Sequence, residues 1–176
     1  MQYVGGHLRD IQRAMKNPVG NMGMIFGEST KRIRRSVGLD APQLTQYVHR
    51  ELENEAQLLA KNILNFSSSV EHLLIKYTRE IIHQQMALTR LANAVIDIYT
   101  MLVVLSRASR ALEKNLPTAD IEKRMAKFIC SEANLRIERN LQSVKSQPAL
   151  NNDHLLRTIA QEVLSREDIV HDHPLS

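Results

Sequence analysis

Among the seven histidines and one cysteine, whose types suit metal binding or nucleophilic chemistry, a closely spaced histidine pair and the cysteine are the first candidates. His171 and His173 flank Asp172, but they lie beside a proline and no third ligand is in register with them, so the spacing does not favour a zinc site. Cys130 falls in an apolar helical pattern, which predicts a small core residue. As the one cysteine of the sequence it cannot form an internal disulfide, which fits a reducing compartment or the mitochondrial matrix.

Asp97 is the candidate for a perturbed carboxylate, because it lies inside the most apolar stretch of the chain. Arg90, Asn93 and Thr100 share its helical face, which favours a solvated or paired carboxylate over a catalytic one. Gly20–Gly23 has no preceding strand pattern and no following GK[ST], so it is no phosphate loop. The residues therefore predict no catalytic, cofactor or metal site.

The stretch from Gln84 to Leu112 predicts a central helix with neighbours on every side, because it is apolar on nearly every face. Its apolar core is too short, and too interrupted by Asp97, for the roughly 20 apolar residues that cross a bilayer. Steps of three and four predict its packing seam, made of Leu88, Leu91, Val95, Ile98, Leu102 and Leu105. A second stripe lies beside this seam and consists of Ala94, Met101 and Ala108.

The strongest helical period precedes this stretch, at Leu52, Ala56, Leu59, Ile63, Phe66, Val70, Leu73 and Tyr77. No Gly or Pro separates Pro42 from Pro117, and one helix of that length would measure about 100 Å. We therefore expect an unmarked turn within Lys76 to His83, where polar residues cluster.

A third helix follows Pro117, with Thr118 as its expected cap and acidic residues in its first turn. Its apolar positions are Ile121, Met125, Phe128, Ile129, Ala133, Ile137 and Leu141. A fourth helix follows Pro148, with Leu155, Leu156, Ile159, Val163 and Leu164 on its apolar side. Because no strand pattern occurs, the sequence predicts an all-α, up-down-up-down four-helix bundle.

Charge and glycine divide the chain into an arm at 1–39 and a bundle at 40–176. All six glycines lie in the first 38 residues, and residues 1–39 carry seven Lys or Arg against two acids. The arm is amphipathic, with one apolar arc formed by Met22, Ile25, Phe26, Ser29, Ile33 and Val37. The opposite side carries Lys31, Arg32, Arg34 and Arg35.

Four interpretations of this arm compete. Gly23 and Gly27 cost a helix roughly 1 kcal/mol each relative to Ala, so we expect this one to need a surface on which to form. That surface is either the rest of the protein or an anionic membrane, with the apolar arc in the acyl boundary. A transit peptide has a similar composition. Nucleic-acid binding is only weakly indicated, because the basic cluster lacks interleaved aromatic residues, and we expect none.

Two stretches, in order, resemble very long-chain acyl-CoA dehydrogenases. KNPVGNMGMIFGESTKRIRRSVGL, at Lys16 to Leu39, is similar to the segment that links the dehydrogenase core of that family to its extra C-terminal helical domain. IDIYTMLVVLSRASRAL, at Ile96 to Leu112, is similar to a helix of that extra domain. The closing His173-Pro174-Leu175 also resembles a close paralogue that serves in respiratory complex I assembly.

The resemblance implies a parent enzyme of fatty acid β-oxidation, a mitochondrial FAD-dependent homodimer that introduces the α,β double bond into long acyl-CoA thioesters. The catalytic glutamate loop and the flavin contacts of that family have no counterpart in this sequence. We therefore expect a C-terminal piece that is inactive alone, binds no cofactor and packs on the dehydrogenase core of the same chain. The alternative is a protein-interaction bundle, as in the complex I assembly paralogue.

The resemblance also ties the arm to the matrix face of the inner membrane. It implies insertion of apolar side chains into a cardiolipin-rich surface, through Met15, Met22, Ile25, Phe26 and Ile33. It assigns the lipid phosphates to the basic residues Lys31, Arg32, Arg34 and Arg35.

Overall fold

The computed structural model describes residues 42–146 and 152–166, and every regular element in these ranges is helical. The four α-helices are α1 (Glu53–Tyr77), α2 (Gln85–Glu113), α3 (Ala119–Lys145) and α4 (Asp153–Ser165). Short 3₁₀ helices occupy Thr45–Tyr47, Arg50–Leu52 and Thr78–His83. The prediction of an all-α fold with four helices is confirmed. The arm, Pro148 and the His171–His173 group lie outside the described residues, so the division at residue 39 stays a prediction.

Contacts between the helices give their directions. The backbone N–H of His49 donates to Ser109 Oγ at 3.1 Å, and Asn62 Nδ2 lies 3.7 Å from Met101 Sδ. The earlier residue, His49, contacts the later part of α2, and the later residue, Asn62, contacts its middle. Helices α1 and α2 are therefore antiparallel. Asn62 Nδ2 also donates to Asn134 Oδ1 at 2.9 Å, in the middle of α3. Lys123 Nζ, earlier in α3, contacts Glu51 Oε2, earlier in the chain than Asn62, at 2.8 Å, so helices α1, α2 and α3 run up, down and up around one core.

The apolar period predicted for α1 is confirmed. Its residues are either buried in the core or partly buried against it: Leu52, Ala56, Leu59, Ile63, Phe66, Val70, Leu73 and Tyr77. The unmarked turn is confirmed too, because α1 ends at Tyr77 and the following 3₁₀ helix ends at His83. Thr78 makes this turn with φ of 49°, a conformation that is unfavourable for a β-branched residue.

Two parts of the prediction for α2 are wrong. The second stripe of Ala94, Met101 and Ala108 is buried, as are Leu91 and Leu105 of the predicted seam, whereas Val95 and Leu102 of that seam are 44% and 49% exposed. Small side chains on the buried side let neighbouring backbones approach closely, and two partners cover only one side of a helix. The helix is also 29 residues long and, by length and composition alone, sufficient to cross a membrane. Of its apolar window 22% is buried, on the side that packs on α1 and α3.

The prediction for α3 is half right. Its second half is buried as expected, at Ala133, Ile137 and Leu141, and Cys130 is a fully buried core residue. Its first half is turned the other way, because Ala126 faces the core and the larger apolar residues remain in solvent. On α4 all five apolar residues are exposed, and the helix meets α2 through an ion pair at its first residue.

Candidate functional site

The outer side of α2 presents a strip of large apolar side chains to solvent. They are 44–65% exposed, and we name them the α2 strip: Val95, Ile96, Tyr99, Leu102 and Val103. At 100° per residue they cover an arc of about 120° on the side away from Met101. Isolated exposed apolar residues are ordinary, but a contiguous apolar patch marks an interaction surface.

Helix α3 carries a second apolar surface. Its members are 55–67% exposed, and we name them the α3 face: Ile121, Met125, Phe128 and Leu135. They recur at helical spacing and lie within an arc of about 80°, next to the side of α3 that meets α2. The predicted core positions Ile121, Met125 and Phe128 are therefore surface residues, and this is a correction to the sequence analysis.

Two ion pairs join α2 to α3 beside these surfaces. Arg136 donates through Nε and Nη2 to Asp97 Oδ1, at 3.0 and 2.7 Å. Arg107 donates to both carboxylate oxygens of Glu122, at 2.8 and 3.0 Å. Because the partners run in opposite order along the two helices, α2 and α3 are antiparallel. Hydrogen bonds, first from Arg107 and then from the Thr118 hydroxyl, lower the pKa of Glu122 to about 2.

The carboxylate of Asp97 is structural. It is 8% exposed and paired, as expected, but its partner Arg136 comes from α3 and not from its own helix. Arg90, the partner-like neighbour on α2, instead binds Asp153 of α4 at 2.6 and 2.7 Å. This hydrogen bonding is the main cause that lowers the pKa of Asp153 and raises that of Arg90.

Thr118 does not cap α3 in the predicted way. Its side chain makes no hydrogen bond to the helix backbone, and its hydroxyl lies 2.7 Å from Glu122 Oε1. The Thr118 hydroxyl donates to the Glu122 carboxylate one turn away, because a hydrogen bond to a charged acceptor is stronger than one between neutral groups. The acidic first turn predicted for α3 is confirmed, with Asp120 and Glu122.

The buried polar groups of the core are not arranged for catalysis. The thiol of Cys130 is fully buried, and burial, with the nearby Glu55 charge as the smaller cause, raises its pKa to about 12. A thiol with such a pKa is not a nucleophile at neutral pH. Asn62 is fully buried and hydrogen-bonded to Asn134, but its Oδ1 has no partner among the described residues.

Two open cavities lie beside α2. One, of about 550 Å³, separates Met86 and Thr89 from the apolar side of α4. The other, of about 360 Å³, lies between α2 and α3 at Asp97, Arg136 and Arg139. Within 42–146 and 152–166 no group of three or more His, Cys, Asp or Glu is placed to hold a metal ion.

A flavin does not fit the described residues. These ranges contain no glycine, so they offer no tight glycine turn of the kind that lets a backbone approach a pyrophosphate. Neither cavity is a long apolar cleft. Arg90 is paired with Asp153 and Arg136 with Asp97, and Arg139 lines the smaller cavity, whose other lining residues are mostly polar. We therefore assign no flavin contact to α1–α4.

The membrane residues predicted from the sequence lie outside the described part of the chain, so their placement stays a prediction: Met15, Met22, Ile25, Phe26, Ile33, Lys31, Arg32, Arg34 and Arg35. The α2 strip and the α3 face were not recognised from the sequence as surfaces. The available signal was the apolar character of α2 on nearly all sides, which exceeds what two neighbouring helices can cover.

Comparison with known proteins places this helical domain. The family described as "ACAD9/ACADV, C-terminal domain" matches residues 50–169. Very long-chain specific acyl-CoA dehydrogenase, mitochondrial, of Bos taurus is 39% identical over 175 residues, and the Homo sapiens protein of that name is 37% identical over 173. Each alignment covers 97% of this chain and 26% of the relative, so the chain spans about a quarter of their length. This chain belongs to the family of C-terminal domains of ACAD9 and very long-chain acyl-CoA dehydrogenase.

Proposed function

We propose that this chain serves as the non-catalytic C-terminal domain of a mitochondrial, FAD-dependent very long-chain acyl-CoA dehydrogenase of fatty acid β-oxidation. In this proposal the α3 face packs on the dehydrogenase core of the same polypeptide, and the arm associates with the matrix face of the inner membrane. The parent enzyme is a homodimer with FAD in its core, and this domain is inactive alone.

The observation that carries the packing role is the α3 face. Four large apolar side chains are more than half exposed on a helix whose other side is buried in the core and which is joined to α2 by Arg107–Glu122 and Arg136–Asp97. Burying a large apolar side chain completely stabilises a contact by roughly 1.5–3 kcal/mol. Three quarters of each relative lies outside the aligned region, and the dehydrogenase core is the natural cover for this face.

The packing role is tested with Phe128→Asp, which places a charge on the most exposed member of the α3 face. In the isolated chain the change should alter the free energy of unfolding by less than about 0.5 kcal/mol, because Phe128 is a surface residue there. In the full-length dehydrogenase it should remove about 1.5–3 kcal/mol of docking free energy and lower the Tm.

Lys127→Gln is the matched control, because it changes the charge by the same unit at an exposed residue that lies 100° from Phe128 around α3, outside the α3 face. It should leave the full-length enzyme unchanged. If Phe128→Asp and Lys127→Gln have equal effects on that enzyme, the α3 face does not pack on the core.

The membrane role is supported by the composition of the arm. Its apolar arc is opposed by four clustered basic residues, and each Lys or Arg near an anionic surface contributes about 1 kcal/mol. Together with partial insertion of the apolar side chains, this is sufficient for reversible binding.

The test is co-sedimentation of the chain with vesicles, with and without cardiolipin. Ile25→Asp/Phe26→Asp should abolish the lipid-dependent fraction. Gln2→Asp/Asn21→Asp, which adds the same charge and removes no apolar side chain, should retain most of it. Absence of binding by the unmodified chain would refute the membrane role.

A second candidate function, a protein-interaction bundle, is favoured by α4. This helix exposes five apolar side chains, and within the described residues it is joined to α2 by the Arg90–Asp153 pair. In that case Ile159→Asp should abolish binding of another mitochondrial protein and leave lipid binding and full-length enzyme stability unchanged.

A further inference from the structure

We propose that the arm has a second resting place within its own chain: its apolar arc, from Met22 to Val37, packs on the α2 strip when no membrane is present. The arm would then cover the one side of α2 that α1 and α3 leave open. This deepens the proposed membrane role, because the same side chains serve both surfaces. The docked state itself does not depend on lipid binding.

The entry point of the chain supports this placement. The described chain begins at Pro42, and Leu44 and Val48 pack against the core. The next residue, His49, donates its backbone N–H to Ser109 Oγ near the end of α2. The arm therefore joins the bundle at the end of the helix that carries the strip.

The lengths also agree. The open side of α2 continues beyond the strip to Ala92 and Leu88, and Leu88 to Val103 spans about 22 Å at 1.5 Å per residue. Met22 to Val37 spans the same fifteen rises, about 22 Å. Residues 38–42 reach up to about 17 Å, whereas Val103 lies about 9 Å along the axis from Ser109. The arm can therefore lie parallel to α2 with Val37 near Val103.

The chemistry of the two surfaces is complementary. Between Leu88 and Ser106 the charged residues of α2 are Arg90 and Asp97, and both point away from the strip into ion pairs with Asp153 and Arg136. No charge would therefore be buried when the apolar arc docks. The four basic residues of the arm lie on its opposite side and remain in solvent.

Attachment to the same chain selects the arm over a second copy as the occupant. A tethered segment experiences an effective concentration in the millimolar range for a short flexible linker, which exceeds that of separate molecules in dilute solution. A helix weakened by Gly23 and Gly27 still forms when such a surface is always near. Docking and membrane insertion exclude each other, so only undocked chains can bind lipid. The apparent lipid affinity is therefore the intrinsic affinity multiplied by the undocked fraction.

Site-directed crosslinking tests the docked state in the complete chain. In a Cys130→Ala background, Ile33→Cys is combined with Tyr99→Cys, because the proposed register places these two positions at the same level. The control combines Tyr99→Cys with Lys31→Cys, on the opposite side of the arm. We expect the first pair to form an intramolecular disulfide about tenfold faster than the control, consistent with a high effective concentration on one face only.

Every other outcome of the oxidation overturns the proposal. Covalent dimers instead of crosslinked monomers would show that a second copy occupies the strip. Equal rates for the two pairs, or no crosslink at all, would show that the apolar arc does not dock.

Lipid distinguishes failure of this inference from failure of the membrane role. With cardiolipin vesicles the Ile33–Tyr99 crosslink should slow down, and an uncharged strip variant, Tyr99→Ser/Leu102→Ser, should bind vesicles more tightly than the unmodified chain. A persistent crosslink in a chain that never binds vesicles would refute the membrane role and leave the docked state in place. Vesicle binding without a crosslink would refute the docked state alone.

Discussion

The orientation of α2 predicts that two leucines three residues apart respond very differently to truncation. Leu105 is 1% exposed in the core, whereas Leu102 is 49% exposed on the α2 strip. Leu→Ala is the same chemical change at both positions, so the difference in cost reports burial. The sequence pattern alone places both residues in one packing seam and predicts similar costs.

The magnitudes follow from burial. Leu105→Ala removes a fully buried side chain and leaves a cavity, which costs about 3–5 kcal/mol in well-packed cores. Leu102→Ala removes a side chain that is half in solvent and leaves no enclosed cavity, so we expect about 1 kcal/mol. In a domain of this size 1 kcal/mol shifts the Tm by roughly 2–4 °C, so the two variants should differ by roughly 4–16 °C.

The measurement is urea and thermal unfolding followed by far-UV circular dichroism. It is made in the Ile25→Asp/Phe26→Asp background, so that the arm cannot cover Leu102. Equal destabilisation by Leu102→Ala and Leu105→Ala would mean that α2 is rotated toward the seam expected from its sequence, and the α2 strip would not exist.

Three further predictions concern ion pairs and backbone. Arg136→Ala leaves the 8% exposed Asp97 without its charged partner and should lower the free energy of unfolding. The loss should lie near the low end of ~1–3 kcal/mol, because half of the Arg136 side chain is solvated. No change in a urea titration would contradict the pairing. The pKa of Glu122 in the folded state is lowered from 4.5 to about 2, so its ion pair stabilises the fold fully above pH 4.5 and this stabilisation is lost as the pH falls toward 2. Arg107→Ala should therefore make the free energy of unfolding depend less on pH between 4.5 and 2. An unchanged pH dependence in that range would refute the assignment. Thr78→Gly should stabilise the chain by about 1 kcal/mol by relieving the positive φ, and a lower Tm would show that the turn does not need that conformation.

Local patterns were sufficient for the features that depend on neighbouring residues. The apolar period from Leu52 to Tyr77 matched the buried side of α1, because one face of that helix is apolar and the other polar. Length predicted a turn between Pro42 and Pro117, and the cluster of polar residues placed it within Lys76 to His83, where the structure has the 3₁₀ helix Thr78–His83. The burial of Cys130 also followed from a local pattern, because it lies in an apolar helical stretch.

The surfaces of the candidate site could not be found in this way. Helix α2 is apolar on nearly every side, so its sequence does not say which side meets α1 and α3. Asp97 has polar neighbours on its own helix, but its partner Arg136 lies 39 positions away on α3. The first half of α3 offers Ile121, Met125 and Phe128 as apolar candidates, yet Ala126 and Cys130 face the core.

The sequence by itself therefore determined the helices, the turn between α1 and α2, and membership of an acyl-CoA dehydrogenase family, because periodicity and motif spacing are properties of the linear chain. Only the tertiary structure decided which apolar residues are left for partners. That choice depends on close approach of Ala94, Ala108 and Ala133 and on the pairing of Asp97 with Arg136. These are contacts between helices. A helix that is apolar on every side can bury any of several faces, and its neighbours decide which one is buried.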